Sequence, residues 1–427
     1  MIKILKEGVN TREEIFSVVE IKKDVSSSVK EILQSVKEDG DKALYYYTEK
    51  FDGAKLTNLR VSKEEIEEAV NSIEPEFLEI LKEACENIKK FHSKQKREGF
   101  EINENNGIIL GQKIIPVEVA GLYVPGGTAA YPSTVLMDAI PAKIAGVERV
   151  IITTPPNASG KINPAILASA FVAGVDEIYK VGGAQAIGAM AYGTESIPKT
   201  DKIVGPGNAF VAEAKRQVYG EVSIDMIAGP SEILVIADST SNPSHVAADM
   251  LSQAEHDKLA SAVLITDNEE FANNVALEIE KQIPNLKRNE IARASIDNNG
   301  KIIITNSIEK AIEISNKIAP EHLELCLDNA MEYLSKIKHA GSVFLGKNCP
   351  EALGDYFAGS NHTLPTSGTA RFSSPLSVDD FIKKTQYIYY DKNSLNSVCK
   401  KVEYFALKEG LTAHAKSAVI RSEQIDE

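Results

Sequence analysis

The chain has 427 residues, with 47 lysines and arginines against 61 aspartates and glutamates, and a formal net charge of −14. At about 150 residues per domain, this length predicts two to four domains. The composition, with 43% hydrophobic and 25% charged residues, excludes a mainly disordered chain, a collagen and a small disulfide-rich protein. The acidic balance argues against a protein whose main activity is nucleic-acid binding.

Four cysteines are scattered along the chain without a C-x-x-C pair, namely Cys85, Cys326, Cys349 and Cys399. This spacing favours reduced, mostly buried thiols over disulfides. The first residues become charged too soon for a signal peptide, and no apolar stretch approaches the ~18 residues of a transmembrane helix. The sequence therefore predicts a cytoplasmic protein.

The first hundred residues are highly charged and are predicted to be helical. Val29–Val36 and Ile66–Ile88 place apolar residues three and four positions apart among Glu and Lys. This is the spacing of helices that bury one face. The turn Phe51–Asp52–Gly53 interrupts the region.

From about Ile114 to Asp238, short β-rich runs alternate with alanine-rich helical runs. Strands are predicted at 150–153, 178–181 and 203–204, and helices at 164–173, 184–191 and 209–218. Strands that alternate with helices indicate βαβ units and a mainly parallel sheet. The apolar character of the strands indicates burial on both faces.

A second series of the same kind follows. Its predicted strands are 233–237, 262–266, 302–305, 322–326 and 342–345, and its predicted helices are 244–254, 269–282, 308–318 and 330–337. We therefore expect an α/β protein with two doubly wound, Rossmann-like halves. After about Leu376 the alternation stops. The tail, with aromatic residues at Tyr387–Tyr390 and a helical stretch around Val402–Lys416, is too small for its own core, and we expect it to dock on the body or on a second subunit.

Glycine-rich turns follow three of the apolar runs, at Gly126–Gly127, Gly182–Gly183 and Gly205–Asn208. Glycine at a helix N-terminus lets backbone N–H groups approach a phosphate. No segment matches G-x-G-x-x-G, because Phe210 stands where the third glycine belongs. Simple turn chemistry between strand and helix explains these glycines as well as a nucleotide does.

Candidate metal ligands lie at the end of the predicted helix 244–254. Gln253 and His256 are three residues apart and so share one helical face. An amide oxygen with a histidine nitrogen suits Zn²⁺, although a histidine at a helix C-terminus is more often a cap. Asp355 could complete the site, and the lack of cysteine clusters favours a catalytic metal over a structural one. By contrast, His92, His245 and His339 are predicted to lie on the surface.

Glu321 and His322 place two titratable side chains next to each other at the start of an apolar strand. Neighbours on a strand point to opposite faces, so a local turn, which Pro320 favours, is needed for both to face one cleft. Histidine is the usual general base near neutral pH, and a glutamate can activate water. The alternative is a solvated glutamate beside a capping histidine. Cys326 is predicted to be a buried small hydrophobe rather than a nucleophile.

In their order along the chain, these motifs closely resemble those of one family, the histidinol dehydrogenases of histidine biosynthesis. The resemblance extends almost from end to end. It is carried by YTEKFDG (47–53), GLYVPGG (121–127), VGGAQAI (181–187), VGPGN (204–208), AGPSE (228–232), QAEHD (253–257), APEHL (319–323), GDY (354–356), GSNH (359–362) and EGLTAH (409–414).

The resemblance implies an oxidoreductase that acts on a CH–OH group. It would oxidise L-histidinol to L-histidine through histidinaldehyde in two NAD-dependent steps, with one zinc ion per subunit. The residues that match the family's zinc ligands are Gln253, His256, Asp355 and His414, and those that match its acid–base pair are Glu321 and His322. The matching NAD contacts are Tyr123, Gln185 and Asn208, and the matching substrate contacts are Ser231, Gln253, His256, His322, Asp355, His362, Glu409 and His414.

The resemblance also implies an intertwined homodimer, in which the C-terminal tail brings Glu409 and His414 to the partner's site. The expected segments are a helical N-terminus (1–20), a discontinuous α/β domain (21–122 and 232–376), an inserted NAD-binding domain (123–231) and the dimer-associated tail (377–427). Two alternatives remain at this point. A related zinc and NAD enzyme with another small polyol substrate could share the scaffold, and a non-catalytic metal- or nucleotide-binding protein would bind without turnover.

Overall fold

The computed structural model describes residues 1–16, 24–126 and 131–422. The α-helices are α1 (Arg12–Phe16), α2 (Ser26–Asp39), α3 (Asp41–Asp52), α4 (Lys63–Ser72), α5 (Pro75–His92), α6 (Pro132–Ala145), α7 (Pro164–Ala173), α8 (Gly183–Tyr192), α9 (Ala209–Val218), α10 (Pro243–Ala254), α11 (Glu269–Gln282), α12 (Asn289–Asn299), α13 (Ile308–Ile318), α14 (Ala330–Tyr333), α15 (Glu351–Tyr356), α16 (Lys392–Lys408) and α17 (Thr412–Val419). The strands are β1 (Lys3–Lys6), β2 (Phe100–Asn103), β3 (Ile108–Pro116), β4 (Val119–Tyr123), β5 (Arg149–Thr153), β6 (Glu177–Tyr179), β7 (Lys202–Val204), β8 (Ser223–Ile224), β9 (Glu232–Ala237), β10 (Ser261–Thr266), β11 (Lys301–Ile304), β12 (His322–Cys326), β13 (Ser342–Leu345) and β14 (Ile382–Tyr390).

The chain divides into two compact units. The first comprises Met1–Gln95 and Val117–Phe381, and the second comprises Lys96–Pro116 and Ile382–Glu427. The second unit contains an antiparallel sheet in the order β14-β3-β2, together with helices α16 and α17. We did not predict this sheet from the sequence. The predicted aromatic patch is the end of β14, and Gly410 separates the two helices within the predicted helical stretch.

One parallel sheet of the first unit has the order β1-β11-β10-β9-β12-β13. Its central strand β9 is buried on both faces, because successive side chains of a strand point in opposite directions. Ile233 and Val235 belong to the hydrophobic cluster under α10 to α12, while Leu234 and Ile236 belong to the cluster under α13. The chain thus winds to both sides of this sheet, as the sequence predicted.

The other parallel sheet has the order β6-β5-β4-β7-β8. Its strand order reverses at β4, since the next strand in sequence lies on one side and β7 lies on the other. Val150 and Ile152 face one hydrophobic cluster and Ile151 faces the second. The predicted α/β fold with mainly parallel sheets is therefore confirmed, and this strand order is the doubly wound arrangement that leaves a crevice at the reversal point.

Two predictions for the first hundred residues were wrong. Lys3–Lys6 form a strand at the edge of the first sheet, paired with β11, rather than a helix. A strand of four residues with one buried side chain is too short to show a two-residue period in sequence. His92 is buried rather than exposed, and its Nδ1 lies 2.7 Å from Oε1 of Gln95.

Helices α2 to α5 share hydrophobic clusters with the sheet that contains β4 and β5. The division of the chain into four segments stays a prediction, and its first boundary falls at residues outside those described. Among the described residues, no helix is both long enough and apolar enough to cross a membrane.

Candidate active site

The acid–base candidates lie at the amino end of the sheet that contains β9 and β12. Helix α13 ends at Ile318 and is followed by Ala319, whose φ of 55° is unusual for a residue with a β-carbon. Pro320 then directs the chain into β12. Because β12 pairs in parallel with β9 and His322 is opposite Ile233, both Glu321 and His322 come beside residue 232.

The backbone of Glu232 holds both candidates. Its N–H donates to Oε2 of Glu321 over 2.8 Å, and its carbonyl oxygen lies 2.9 Å from Nδ1 of His322. A carbonyl only accepts, so Nδ1 of His322 carries the proton in this pair. In the neutral ring, Nε2 is then the basic nitrogen. The two side chains approach to 3.6 Å, so the structure brings them together as the sequence suggested.

Burial and neighbouring charges shift the pKa values of both Glu321 and His322. Burial raises the pKa of Glu321 to about 8. Burial alone would lower the pKa of His322, but Glu321, Asp355 and Glu351 together raise it to about 10. The cluster of carboxylates therefore requires a positive charge among them, either a proton on His322 or a bound cation in its place.

Helix α15 supplies two carboxylates one turn apart. Oε1 of Glu351 and Oδ1 of Asp355 each lie 3.7 Å from Nε2 of His322. Ligand atoms of these three residues all lie within 4.8 Å of one another, which suits a metal ion. We did not identify Glu351 from the sequence. Its signal was the spacing of four residues from Asp355, which places both on one helical face.

Gln253 and His256 extend this cluster from the end of α10. Gln253 is 1% exposed, and neither polar atom of its side chain has a hydrogen-bond partner among the described residues. The N–H of His256 donates to the carbonyl of Gln253 over 3.1 Å, which continues the helical turn. Burial lowers the pKa of His256, and the resulting neutral imidazole is the form that binds a metal.

The unpartnered buried atoms form a consistent set. Both polar atoms of the Gln253 side chain, Nε2 of His322 and Oε1 of Glu351 are buried without a partner in the described part of the chain. Burying polar groups without partners is costly. The oxygen donors of this set fit a divalent cation such as Zn²⁺.

His362 lies next to Asp355 but has both ring nitrogens engaged. Its Nδ1 lies 3.1 Å from the carbonyl oxygen of Asp355 and its Nε2 lies 3.2 Å from Oγ1 of Thr134. Burial lowers the pKa of His362, so the ring is neutral, with Nδ1 donating and Nε2 accepting. Ser231 directly precedes Glu232 and is half-buried. The substrate contacts assigned to His362 and Ser231 stay predictions.

The two remaining matched residues belong to the second unit. Glu409 follows the last turn of α16, and His414 is on α17. Both side chains are exposed. Their assignments as substrate contact and metal ligand stay predictions.

The candidate nucleotide contacts lie near the carboxyl ends of the strands in the other parallel sheet. The hydroxyl of Tyr123 accepts the N–H of Gly183 over 3.1 Å, and Oε1 of Gln185 is buried without a partner among the described residues. Oδ1 of Asn208 caps α9 by accepting the N–H of Phe210 at 3.0 Å. These turns flank the reversal point of the strand order, where doubly wound folds bind ligands. Gly127 lies outside the described residues.

The turn after β7 is fixed from three sides. Gly205 has φ of 112°, and a β-carbon there would lie 2.2 Å from the carbonyl oxygen of Tyr123, so only glycine fits. Its N–H donates to Asp225 over 2.8 Å, and its carbonyl accepts from Lys215 over 2.9 Å. Lys215 and Asp225 form a buried ion pair.

Asp138, on α6, holds the segment that carries His362. Oδ1 of Asp138 accepts the hydroxyl of Thr363 over 2.8 Å, while Oδ2 is buried without a partner among the described residues. Burial raises the pKa of Asp138 to about 8. The folded state therefore keeps a proton that the unfolded chain releases near pH 4.

We expect Asp138→Asn to flatten the pH dependence of stability. The stabilisation from neutral Asp138 is complete below pH 4 and is lost as the pH rises through 8. The unfolding free energy of the wild type should therefore fall, relative to the variant, by up to about 1.4 kcal/mol per pH unit in that interval. Urea unfolding from pH 4 to 8 measures this, with the exposed Asp39→Asn as control. Parallel curves for wild type and Asp138→Asn would show that Asp138 is already ionised.

Cys326 is not a nucleophile in this structure. The thiol is buried, and burial together with nearby Glu324 raises its pKa, so a thiolate is disfavoured. All four cysteines are free, and three of them are buried, as predicted. Glu324 instead positions α15, because its Oε1 accepts the N–H of Glu351 over 2.6 Å.

Comparison with known proteins identifies the family. A family model described as histidinol dehydrogenase matches residues 18–422. The histidinol dehydrogenase of Bacillus thuringiensis subsp. konkukian is 57% identical over 420 residues, which cover 98% of this chain and 96% of that protein. The histidinol dehydrogenase of Clostridium acetobutylicum is 54% identical over 426 residues, 99% of either protein. The crystal structure of histidinol dehydrogenase from Elizabethkingia anophelis matches with a TM-score of 0.92 and 43% identity over 98% of both chains. The chain therefore belongs to the histidinol dehydrogenase family.

Proposed function

We propose that this oxidoreductase of histidine biosynthesis converts L-histidinol to L-histidine through histidinaldehyde, with NAD as the oxidant and a zinc ion that holds the substrate. Family membership supports the reaction. The observation that carries the assignment of the site is the buried cluster around His322, where Gln253 and Glu351 also keep polar atoms without a partner among the described residues. The four free thiols suit the reducing cytoplasm, where we propose that the protein acts.

The residues present fit a zinc ion. Gln253, His256 and Asp355 would hold it, and we propose His414 as the fourth ligand. When bound, zinc would fix the imidazole and amine nitrogens of histidinol and so orient its alcohol. The donor set contains an amide and a carboxylate and no thiolate, which is typical of a catalytic rather than a structural zinc site.

With the zinc ion supplying the positive charge that the carboxylates require, His322 is neutral and acts as the general base of the first oxidation. With Nδ1–H donated to the carbonyl of Glu232, Nε2 is the nitrogen that takes the proton of the substrate hydroxyl while hydride leaves for NAD. The hydrogen bond to Glu232 fixes the ring, so the base does not have to be reoriented in the transition state.

Glu321 acts in the second oxidation. Its carboxylate accepts the N–H of Glu232 and lies beside His322. Burial raises the pKa of Glu321, so its ionised carboxylate takes up a proton more readily than that of an exposed glutamate. It would remove a proton from the water that adds to histidinaldehyde, and the resulting hydrate gives up the second hydride.

NAD is proposed to bind at the carboxyl ends of β4 and β7. Tyr123, Gln185 and Asn208 are the proposed contacts. The buried Oε1 of Gln185, which has no partner among the described residues, supports this placement. Asn208 caps α9 with its oxygen, which leaves its amide nitrogen to donate to a ligand.

We expect Glu351→Gln to weaken zinc binding by roughly 10- to 100-fold, the usual effect of altering a group beside metal ligands. Glu351 contributes a negative charge close to Asp355, and glutamine removes the charge but keeps the shape. Competition with a chromogenic chelator measures the affinity without turnover. The exposed Glu270→Gln is the control. Unchanged affinity in Glu351→Gln would exclude Glu351 from the metal site.

The proposed homodimer places Glu409 and His414 of one chain in the site of the other. His414→Ala and His256→Ala subunits should each be inactive, because each lacks one zinc ligand. Mixing them should restore about a quarter to a half of the activity per site if the hybrid dimer combines both defects in one of its two sites. Failure to recover activity, with subunit exchange shown by mass spectrometry, would argue for sites within one chain.

Substrate choice tests the proposed function. The protein is expected to reduce NAD with L-histidinol and to form L-histidine, and to give no NADH with small polyols that lack an imidazole. Turnover of a polyol in preference to histidinol would favour a related dehydrogenase. Binding of NAD and zinc without any turnover would indicate a non-catalytic protein.

A further inference from the structure

Asp52 has a buried carboxylate oxygen that accepts no hydrogen bond from the described part of the chain. It ends helix α3, just before Gly53 in the left-handed conformation. Its Oδ2 is buried and has no hydrogen-bond partner among the described residues. Burial raises the pKa of Asp52 to about 6. Buried carboxylate oxygens are normally hydrogen-bonded, so this oxygen lacks the donors that a ligand could supply.

The position of Asp52 is set by the chain on either side of it. A β-carbon at Gly53 would lie 3.9 Å from that of Ala158, in the loop that follows β5. Further on, the chain runs antiparallel to β6, since Val61 N–H donates to Ile178 and Lys180 N–H donates to Leu59. Asp52 is thus located at the carboxyl ends of β5 and β6.

Asp52 also acts on the proposed nucleotide contact at the end of β4. Burial raises the pKa of Tyr123 to about 12, and the negative charge of Asp52 adds to the shift. Thr154, the first residue after β5, has a hydroxyl that is also buried without a partner among the described residues.

Doubly wound nucleotide-binding sheets use a carboxylate near the end of their second strand to hold the ribose hydroxyls of the adenosine. In this sheet the second strand is β5, which ends at Thr153 and is followed by Thr154 and Pro155, so its end offers no carboxylate. Asp52 reaches the same edge from a different part of the chain. We propose that Asp52 binds the ribose hydroxyls of the adenosine half of NAD, an inference that rests on the proposed use of NAD.

The same carboxylate would select NAD over NADP. A 2′-phosphate would meet the negative charge of Asp52 and could not donate a hydrogen bond to it. The nearest cation in sequence is Lys50, whose ammonium group lies 5.4 Å from the ring centre of Tyr46 and 5.5 Å from that of Phe51. Removing the carboxylate should therefore weaken the binding of NAD and strengthen the binding of NADP relative to it.

Calorimetric titration with NADH, NADPH and ADP-ribose tests the proposal without requiring turnover. We expect Asp52→Asn to bind NADH and ADP-ribose roughly 10- to 100-fold more weakly than the wild type, as for a lost hydrogen bond to a charged group. The ratio of NADH to NADPH affinity should fall by at least as much. The exposed Glu49→Gln, on the same helix, should behave like the wild type.

A ligand change makes the test independent of the variant's folding. The wild type should bind an ADP-ribose analogue that lacks the 2′-hydroxyl of the adenosine ribose roughly tenfold or more weakly than ADP-ribose. Asp52→Asn should bind the two ligands equally well. Equal binding of both ligands by the wild type, or unchanged NADH binding by Asp52→Asn, would overturn the assignment of Asp52. A wild type that binds neither NADH nor ADP-ribose would instead contradict the proposed function, and the assignment with it.

Discussion

His322→Asn is expected to slow the oxidation of L-histidinol by a factor on the order of 10² to 10⁴, the range in which general-base catalysis contributes. Asparagine can still donate to the carbonyl of Glu232, which His322 contacts at 2.9 Å. It offers no basic nitrogen in place of Nε2. The loss should therefore appear in the rate of the first hydride transfer, measured by single-turnover NADH formation.

The rate of aldehyde oxidation shows whether His322→Asn has lost only a base or has damaged the whole site. Supplied with histidinaldehyde and NAD, His322→Asn should keep much more of its activity than it keeps with histidinol. His245→Asn is the matched control, since His245 is exposed on α10. Equal losses in both half-reactions would show that His322 is needed for the structure of the site and not for the first proton transfer.

Glu321→Gln is expected to have the opposite profile. The glutamine oxygen can still accept the N–H of Glu232, which Glu321 now accepts at 2.8 Å, but an amide is not a base. Addition of water to histidinaldehyde should slow by a factor on the order of 10² to 10³, while the first oxidation changes little. A burst of one NADH per site, followed by a slow phase, is the expected time course.

The aldehyde provides the check on that interpretation. Quenched samples of Glu321→Gln should contain histidinaldehyde, trapped as its semicarbazone, during the slow phase. The exposed Glu270→Gln should show neither a burst nor trapped aldehyde. An unchanged aldehyde step in Glu321→Gln would remove the water-activating role from this residue.

The elements predicted best from the sequence were those with a complete local signal. Helices α7, α9, α11 and α13 begin and end at the predicted residues, and each begins just after an asparagine or serine whose side chain caps it. Strand β1 and the pairing of β14 with β3 were missed, because each of these pairings joins segments that are far apart in sequence. Such pairing is not visible in local periodicity.

The candidate site divides in the same way. Glu321 and His322 were predicted because acid–base residues stand out in sequence beside a proline. Glu351 was not, since two acidic residues four apart are common on exposed helices. The role of Glu232 could not be predicted from the sequence, because it depends on backbone groups that every residue has. Only the register of β9 against β12 brings these groups to Glu321 and His322.

The yield of NADH per molecule of L-histidinol tests the central claim most directly. Purified protein with limiting histidinol and excess NAD is predicted to form two NADH for each histidinol and to release no free aldehyde. The activity should be lost after chelation and restored by Zn²⁺. A yield of one NADH with accumulated aldehyde, or no NADH from zinc-loaded protein, would contradict the proposal that the cluster around His322 and Glu321 carries out both oxidations.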